Sequence, residues 1–299
     1  MNLVSKLVVR LLPIVPKGIV GFVAKRYVAG SKLDDAVRAI REINSQGASA
    51  TLDILGESVT DTAKALDFTA QYIGLFDRIA EDHLDSTVSI KPTMLGLKID
   101  PALCRQNIER IVRSAKGHGS SVCIDMEDSS TTGFTLSAYK DLLGTHGHVT
   151  AVLQACLRRT LDDISALPTE GACIRLCKGI YLEPRAIAWR DYQTVRRNYV
   201  AALDKLMRRG AFVGIATHDE YLVHEALALI DRHHLTRDRY EFQMLLGVDP
   251  ELRRIIISLG HPLRVYVPFG SEWYAYSTRR LRENPAVATH VMKAFFGLR

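Results

Sequence analysis

A chain of 299 residues, 47% of them hydrophobic and 24% charged, has the apolar mass for a large folded core, which excludes a disordered or fibrous protein. Its net charge of +6 is too modest and too dispersed to point to nucleic acid. Cys104, Cys123, Cys156, Cys173 and Cys177 lie mostly in apolar runs, the pattern of reduced thiols in a cytoplasmic protein; no second Cys/His pair completes a zinc site, so no metal is expected.

The chain opens on a basic stretch. Lys6, Arg10, Lys17, Lys25, Arg26 and Lys32 precede the first acid, Asp34, with apolar residues between them. Two readings fit: an interfacial helix drawn to anionic lipid, giving peripheral contact with the cytoplasmic membrane face, or an amphipathic helix packed on the domain. Pro13, Pro16 and the charges exclude a spanning helix of ~20 apolar residues.

Short apolar runs rich in β-branched residues then alternate with helical periodicity. Strands are expected at Thr51–Glu57, Thr87–Lys91, Val122–Glu127, Thr150–Ala155, Cys173–Lys178, Phe212–His218, Tyr240–Leu246 and Leu263–Val267, with helices such as Ala188–Arg209 and Tyr221–His233 between them. Eight such units predict an α/β fold, a TIM-type (β/α)8 barrel over residues 51–299, with helices of residues 1–50 packed on it as part of one domain. Pro268 and Gly270 mark a turn before a last barrel helix, Ser271–Glu283, and Ala286–Arg299 reads as a further helix. An open doubly wound sheet is the competing topology, but no GxGxxG turn follows the first strand.

In such a barrel the chemistry sits at the carboxyl ends of the strands. Here those ends carry Asp53 and Glu57, Lys91, Asp125 and Glu127, Gln154, Arg175 and Lys178, His218 and Asp219, Gln243, and Tyr266. Buried charges and amides are costly unless paired or used. Lys91 and Lys178 would suit a Schiff-base aldolase, yet Lys91 faces acids that hold a lysine charged. On the predicted last helix, Tyr276, Arg279 and Arg280 fall within one turn, and adjacent guanidiniums suit a carboxylate; the alternative is a solvated basic face. The residues alone reach a barrel that binds a small carboxylate beside a cofactor.

From about Tyr27 onward the motifs go further. ATLDILGE (50–57), SIKPTMLGL (89–97), CIDMEDSST (123–131), VLQACLRRT (152–160), IRLCKGIYLEP (174–184), IATHDE (215–220), YEFQMLLGV (240–248) and RVYVPFG…WYAYSTRRLRENP (264–285) together resemble the proline dehydrogenase family. KGxYxEP and PFGxxWYxY are similar to its monofunctional bacterial members, so no aldehyde dehydrogenase domain is expected. The resemblance implies FAD-dependent oxidation of L-proline to 1-pyrroline-5-carboxylate, with hydride passing to flavin N5 and electrons to a membrane quinone. It implies that Arg279, Arg280 and Lys91 hold the proline carboxylate, that Tyr276, Leu245 and Tyr266 wall the ring, that Asp125 lies near the substrate, and that Glu57 partners the first arginine. For the flavin it implies Arg175 near N5 and Asp125, Glu127, Gln154, Lys178, Gly179, Thr217, His218 and Gln243 as contacting or supporting positions. Ile180 departs from the pattern, standing where the family usually has alanine, and puts ring-size preference in question. Two rivals remain: a flavin barrel acting on another cyclic imino acid or a folate, and a cofactor-free aldolase or binding barrel.

Overall fold

A computed structural model of the chain describes residues 26–56 and 58–274. Eight parallel strands close into a barrel in chain order: β1 Ser49–Ile54, β2 Ser86–Ile90, β3 Val122–Ile124, β4 Val149–Gln154, β5 Cys173–Cys177, β6 Phe212–Ala216, β7 Tyr240–Leu245 and β8 Leu263–Phe269. Helix α1 (Leu33–Ser45) precedes β1. Helices α2 (Thr62–Glu81), α3 (Pro101–Gly117), α4 (Thr132–His146), α5 (Thr160–Ser165), α6 (Tyr192–Arg208), α7 (Glu220–Arg232) and α8 (Pro250–Ser258) follow β1 to β7 in turn. The expected (β/α)8 barrel with a preceding helix is the fold observed.

Alternation along each strand divides two environments. Leu52, Val88, Ile90, Ile124, Ile174, Leu176, Val213, Ile215, Phe242, Met244, Val265 and Val267 belong to the main apolar core that the strands share with the helices. The intervening positions hydrogen-bond across the barrel interior, for example Thr51 to Thr87 at 3.0 Å and Arg264 Nη1 to the carbonyl of Ala50 at 2.7 Å. Side-chain caps start several helices: Asp61 accepts from the Ala63 amide and Asp100 from that of Ala102, both at 2.8 Å. Asp191 accepts from the Thr194 amide at 2.8 Å, so α6 starts at Tyr192, not at the expected Ala188.

The strands start where their apolar runs do, but several end early. Asp125 still donates its amide to the carbonyl of Ile90 (2.9 Å), yet the chain then leaves the ladder, and Glu127, Lys178 and His218 lie in loops. Pro268 reverses the pattern: it lies within β8, opposite Asp53, instead of marking a turn. Its carbonyl points away from β1 and accepts the Ala29 amide at 2.9 Å, so the missing N–H on that side removes no β1–β8 bond.

In an ordinary (β/α)8 barrel the groove between β8 and β1 is covered by the helix that follows β8. Here α1 packs on both strands, burying Ala36, Val37, Ile40 and Ile43. The chain after Phe269 turns at Gly270, and Trp273 packs on Val28 and on Leu55 just beyond the carboxyl end of β1. The expected helices of residues 275–299 and 1–25 lie outside the described residues.

Candidate active site

The carboxyl half of the barrel interior is a hydrogen-bonded network of charged side chains from six strands. Lys91 follows β2, and its ammonium pairs with Asp53 of β1, stands 3.5 Å from Asp125 and donates to the Tyr266 hydroxyl at 3.4 Å. Tyr266 on β8 in turn donates to Asp125 Oδ2 at 2.7 Å. The other oxygen of Asp125 accepts from Ser89 (2.7 Å) and from Arg175 Nη1 (2.9 Å). Arg175 Nε donates to Gln243 Oε1 at 2.6 Å, and the guanidinium lies over the Tyr266 ring, 5.3 Å from its centroid. Below, Gln243 Nε2 donates to Glu241 at 2.6 Å, and Glu241 pairs with Arg264 at 2.7 Å. Each buried charge therefore meets an opposite charge or a fixed dipole, the condition under which burial is tolerated.

The electrostatics follow from these contacts. Burial alone would lower the Lys91 pKa, but Asp53 and Asp125 reverse it, leaving the ammonium held above the ordinary lysine range. Burial pushes Asp53 up, whereas Lys91 and Arg175 outweigh burial at Asp125 and hold its carboxyl low. Arg175 stays firmly charged, with Cys123 and Asp125 among the neighbours that overcome its burial. The Tyr266 hydroxyl is raised well above its usual range by burial and by Asp125 and Asp53, so it stays protonated. A charged lysine is no nucleophile, which disfavours the aldolase rival.

Beside this network lies a second group. Glu127 receives the amide (2.9 Å) and hydroxyl (2.6 Å) of Thr93, fixing the short helical turn Pro92–Leu95 after Lys91. Gln154 Nε2 donates to the Glu127 carbonyl at 2.9 Å, while its Oε1 is buried and lacks a partner among the described residues. Gly179 borders that oxygen at φ +94°: an added Cβ would overlap Cys156 Sγ and stand 2.9 Å from Gln154 Oε1. A third group stands at the rim. Lys178 (3.0 Å), Tyr192 (2.7 Å) and Arg196 all reach Asp219, whose carboxyl is held far below its usual range because these bonds outweigh burial. The Thr217 hydroxyl accepts the Asp219 amide at 3.1 Å, and His218 Nε2 accepts the Leu245 amide at 2.8 Å, joining the β6 and β7 ends.

Of the residues singled out in the sequence, Lys91, Asp125, Arg175, Gln243 and Tyr266 meet in one network. Glu127 and Gln154 meet beside Gly179; Lys178 and Thr217 meet at Asp219; Leu245 meets His218. Glu57, Tyr276, Arg279 and Arg280 lie outside the described residues. Sequence reasoning did not select Ser89, Thr93, Glu241, Arg264, Tyr192 or Arg196. Ser89 and Glu241 each sit two residues before a selected one on the same strand face, and that spacing was the available signal. No cluster of three or more His, Cys, Asp or Glu placed to hold a metal ion occurs among the described residues.

Comparison with known proteins identifies the family. The family profile described as proline dehydrogenase matches residues 36–293. The chain belongs to the proline dehydrogenase family. It is 37% identical over 275 residues to proline dehydrogenase 2 of Bacillus subtilis (strain 168), covering 92% of this chain and 90% of that protein. It is 34% identical over 275 residues to proline dehydrogenase of Deinococcus radiodurans, covering 90% and 89%. Among solved structures, proline utilization A from Bdellovibrio bacteriovorus inactivated by N-propargylglycine superposes with a TM-score of 0.83 at 23% identity, covering 88% of this chain. A mutant of proline utilization A from Bradyrhizobium japonicum gives 0.74 at 20% identity over 89% of this chain. These two share the fold, and the chain spans about a third (32%) of their length.

Proposed function

We propose that this protein oxidises L-proline to 1-pyrroline-5-carboxylate with FAD as cofactor and a quinone as the final electron acceptor. The observation that carries the reading is the half-buried, charged Lys91, set between Asp53, Asp125 and Tyr266 and linked through Asp125 to Arg175. That arrangement offers a fixed cation to a small carboxylate and no protein nucleophile. Bound FAD would supply the hydride acceptor at its N5. The chain fits such a group: Gln154 Oε1 is an orphaned buried acceptor, and the backbone passes close beside it at Gly179, where a Cβ would overlap Cys156 Sγ. Arg175, Gln243, Gln154, Glu127, Lys178, Gly179, Thr217, His218 and Asp125 would hold it. The Arg175 guanidinium, fixed by Asp125 and Gln243, would supply a preorganised positive charge to bound FAD, stabilising the negative charge that its reduction brings.

Lys91 would orient the proline carboxylate together with Arg279 and Arg280, while Tyr266, Leu245 and Tyr276 wall the ring and Glu57 pairs with Arg279. Trp273 packs on Val28 and on Leu55, just beyond the carboxyl end of β1. Residues 51–299 are read as one barrel domain with residues 1–50 packed on it. The basic first stretch is read as a peripheral contact with the cytoplasmic membrane face, within reach of a quinone; no helix among the described residues is long and apolar enough to cross a membrane.

The deciding experiment is the visible spectrum of the purified protein before and after anaerobic L-proline. A flavin band that bleaches supports the reading; a band unchanged by proline, or no band after reconstitution with FAD, overturns it. Arg279→Met is expected to raise the proline KM at least tenfold with the flavin band retained. An unchanged KM refutes the carboxylate assignment.

A further inference from the structure

We infer that Asp53 is a positioning residue that fixes the Lys91 ammonium for the substrate carboxylate; this rests on the role proposed for Lys91 above. The β1–β2 register pairs Asp53 with Ser89, two residues before Lys91, so the acid and the ammonium come side by side within the barrel. Asp53 is 1% exposed, and the Lys91 side chain, at 17%, is the more open member of the pair. An ammonium has three N–H groups. One goes to Asp53 and one to the Tyr266 hydroxyl, leaving the third for a ligand.

The two acids beside Lys91 are not equivalent. Asp125 is shared among Ser89, Arg175 and Tyr266 and touches Lys91 only at 3.5 Å. Asp53 Oδ1 accepts from Lys91, its Oδ2 is buried without a partner among the described residues, and the Tyr266 hydroxyl adds a weaker influence on the carboxyl. An ion pair made for stability alone would satisfy both oxygens, because an unpaired buried acceptor costs free energy. Removing the Asp53 charge should therefore act chiefly through Lys91 and leave Arg175, held by Asp125 and Gln243, in place. The groups facing Lys91 are Asp53 from β1, Asp125 after β3, Tyr266 from β8 and Tyr72 from α2, with Glu127 nearby. Among them Asp53 and Asp125 do most to keep the lysine charged.

The test is Asp53→Asn, which keeps the side-chain shape and removes the charge. With proline as substrate, the KM should rise about tenfold while kcat changes by less than about threefold.

A plain charge count predicts the opposite KM change, because removing one negative charge should tighten binding of an anion. A lower KM therefore overturns the positioning role. So does an unchanged KM, even if the variant melts earlier. A cycle with Lys91→Met guards against a folding artefact, read as binding of a saturated five-membered ring carboxylate with oxygen in place of the amine. Asp53→Asn should weaken that binding in the parent and change it less than about twofold in the Lys91→Met background. Equal weakening in both backgrounds overturns the inference. Failure of the wild type to bleach with proline would instead strike the proposed function, so the two failures are distinguishable.

Discussion

Replacing Gly214 by alanine adds one methyl group to the barrel interior at a point where the neighbour has no freedom to retreat. The added Cβ would overlap Gln243 Nε2 and stand 2.7 Å from its Cδ. The end of a free glutamine would swing aside, but this amide is pinned at both ends, by Arg175 on its oxygen and Glu241 on its nitrogen, each at 2.6 Å. Relieving the overlap means breaking one of those bonds. A hydrogen bond to a charged group is worth about 1.5–3 kcal/mol, and overpacking a tight interior costs about 1–3 kcal/mol more. Gly214→Ala is therefore expected to lose about 3–5 kcal/mol in equilibrium urea unfolding. In Gly214→Ala/Gln243→Ser the shorter side chain removes the overlap, so the double variant should be more stable than the sum of its singles by over about 1 kcal/mol. A Gly214→Ala stability within about 0.5 kcal/mol of wild type, or strict additivity, would refute the claim that Gln243 is held rigidly under Arg175.

Two further outcomes follow from burial and charge. Burial pushes the thiols of Cys104, Cys123 and Cys177 up to about 12 and those of Cys156 and Cys173 up to about 11, so the native protein should resist an aromatic disulfide reagent at pH 8 and react at all five cysteines once unfolded; rapid native labelling would contradict the buried placement. Asp219 is depressed in the fold, so its stabilisation is fully present above the unfolded carboxylate pKa of about 4 and is lost as pH falls through the lower folded value. Asp219→Asn should consequently lose less stability than wild type between pH 6 and pH 3 by urea midpoints, and equal losses would refute the assignment.

The barrel was legible because parallel strands need near-continuous apolar runs, and each of the eight runs became a strand. Their carboxyl ends were not. Asp125–Glu127 continues the β3 pattern in sequence, but Glu127 finds the Thr93 amide and hydroxyl off the ladder, and those bonds replace strand pairing. Pro268 read as a turn because a proline removes a ladder donor; on that side β7 has already ended, at Leu245 opposite Tyr266, so no strand bond is lost. Within the site, Lys91 between two acids was anticipated from strand ends alone. The Glu241–Arg264 pair beneath Gln243 was not, because a charge inside a strand declares itself only when the facing strand is known. The rim cluster on Asp219 draws Tyr192 and Arg196 from α6, a partnership set by tertiary packing that local spacing does not reveal.

The placement of α1 over the β8–β1 seam bears on how this barrel can be cut, fused or inherited. A fragment designed to begin at β1 would carry all eight strands and still leave the seam bare, with the surface now covered by Ala36, Val37, Ile40 and Ile43 open to water or to another copy. The transferable module therefore begins no later than Leu33, and any larger protein built around this barrel must bring the leading helix with it.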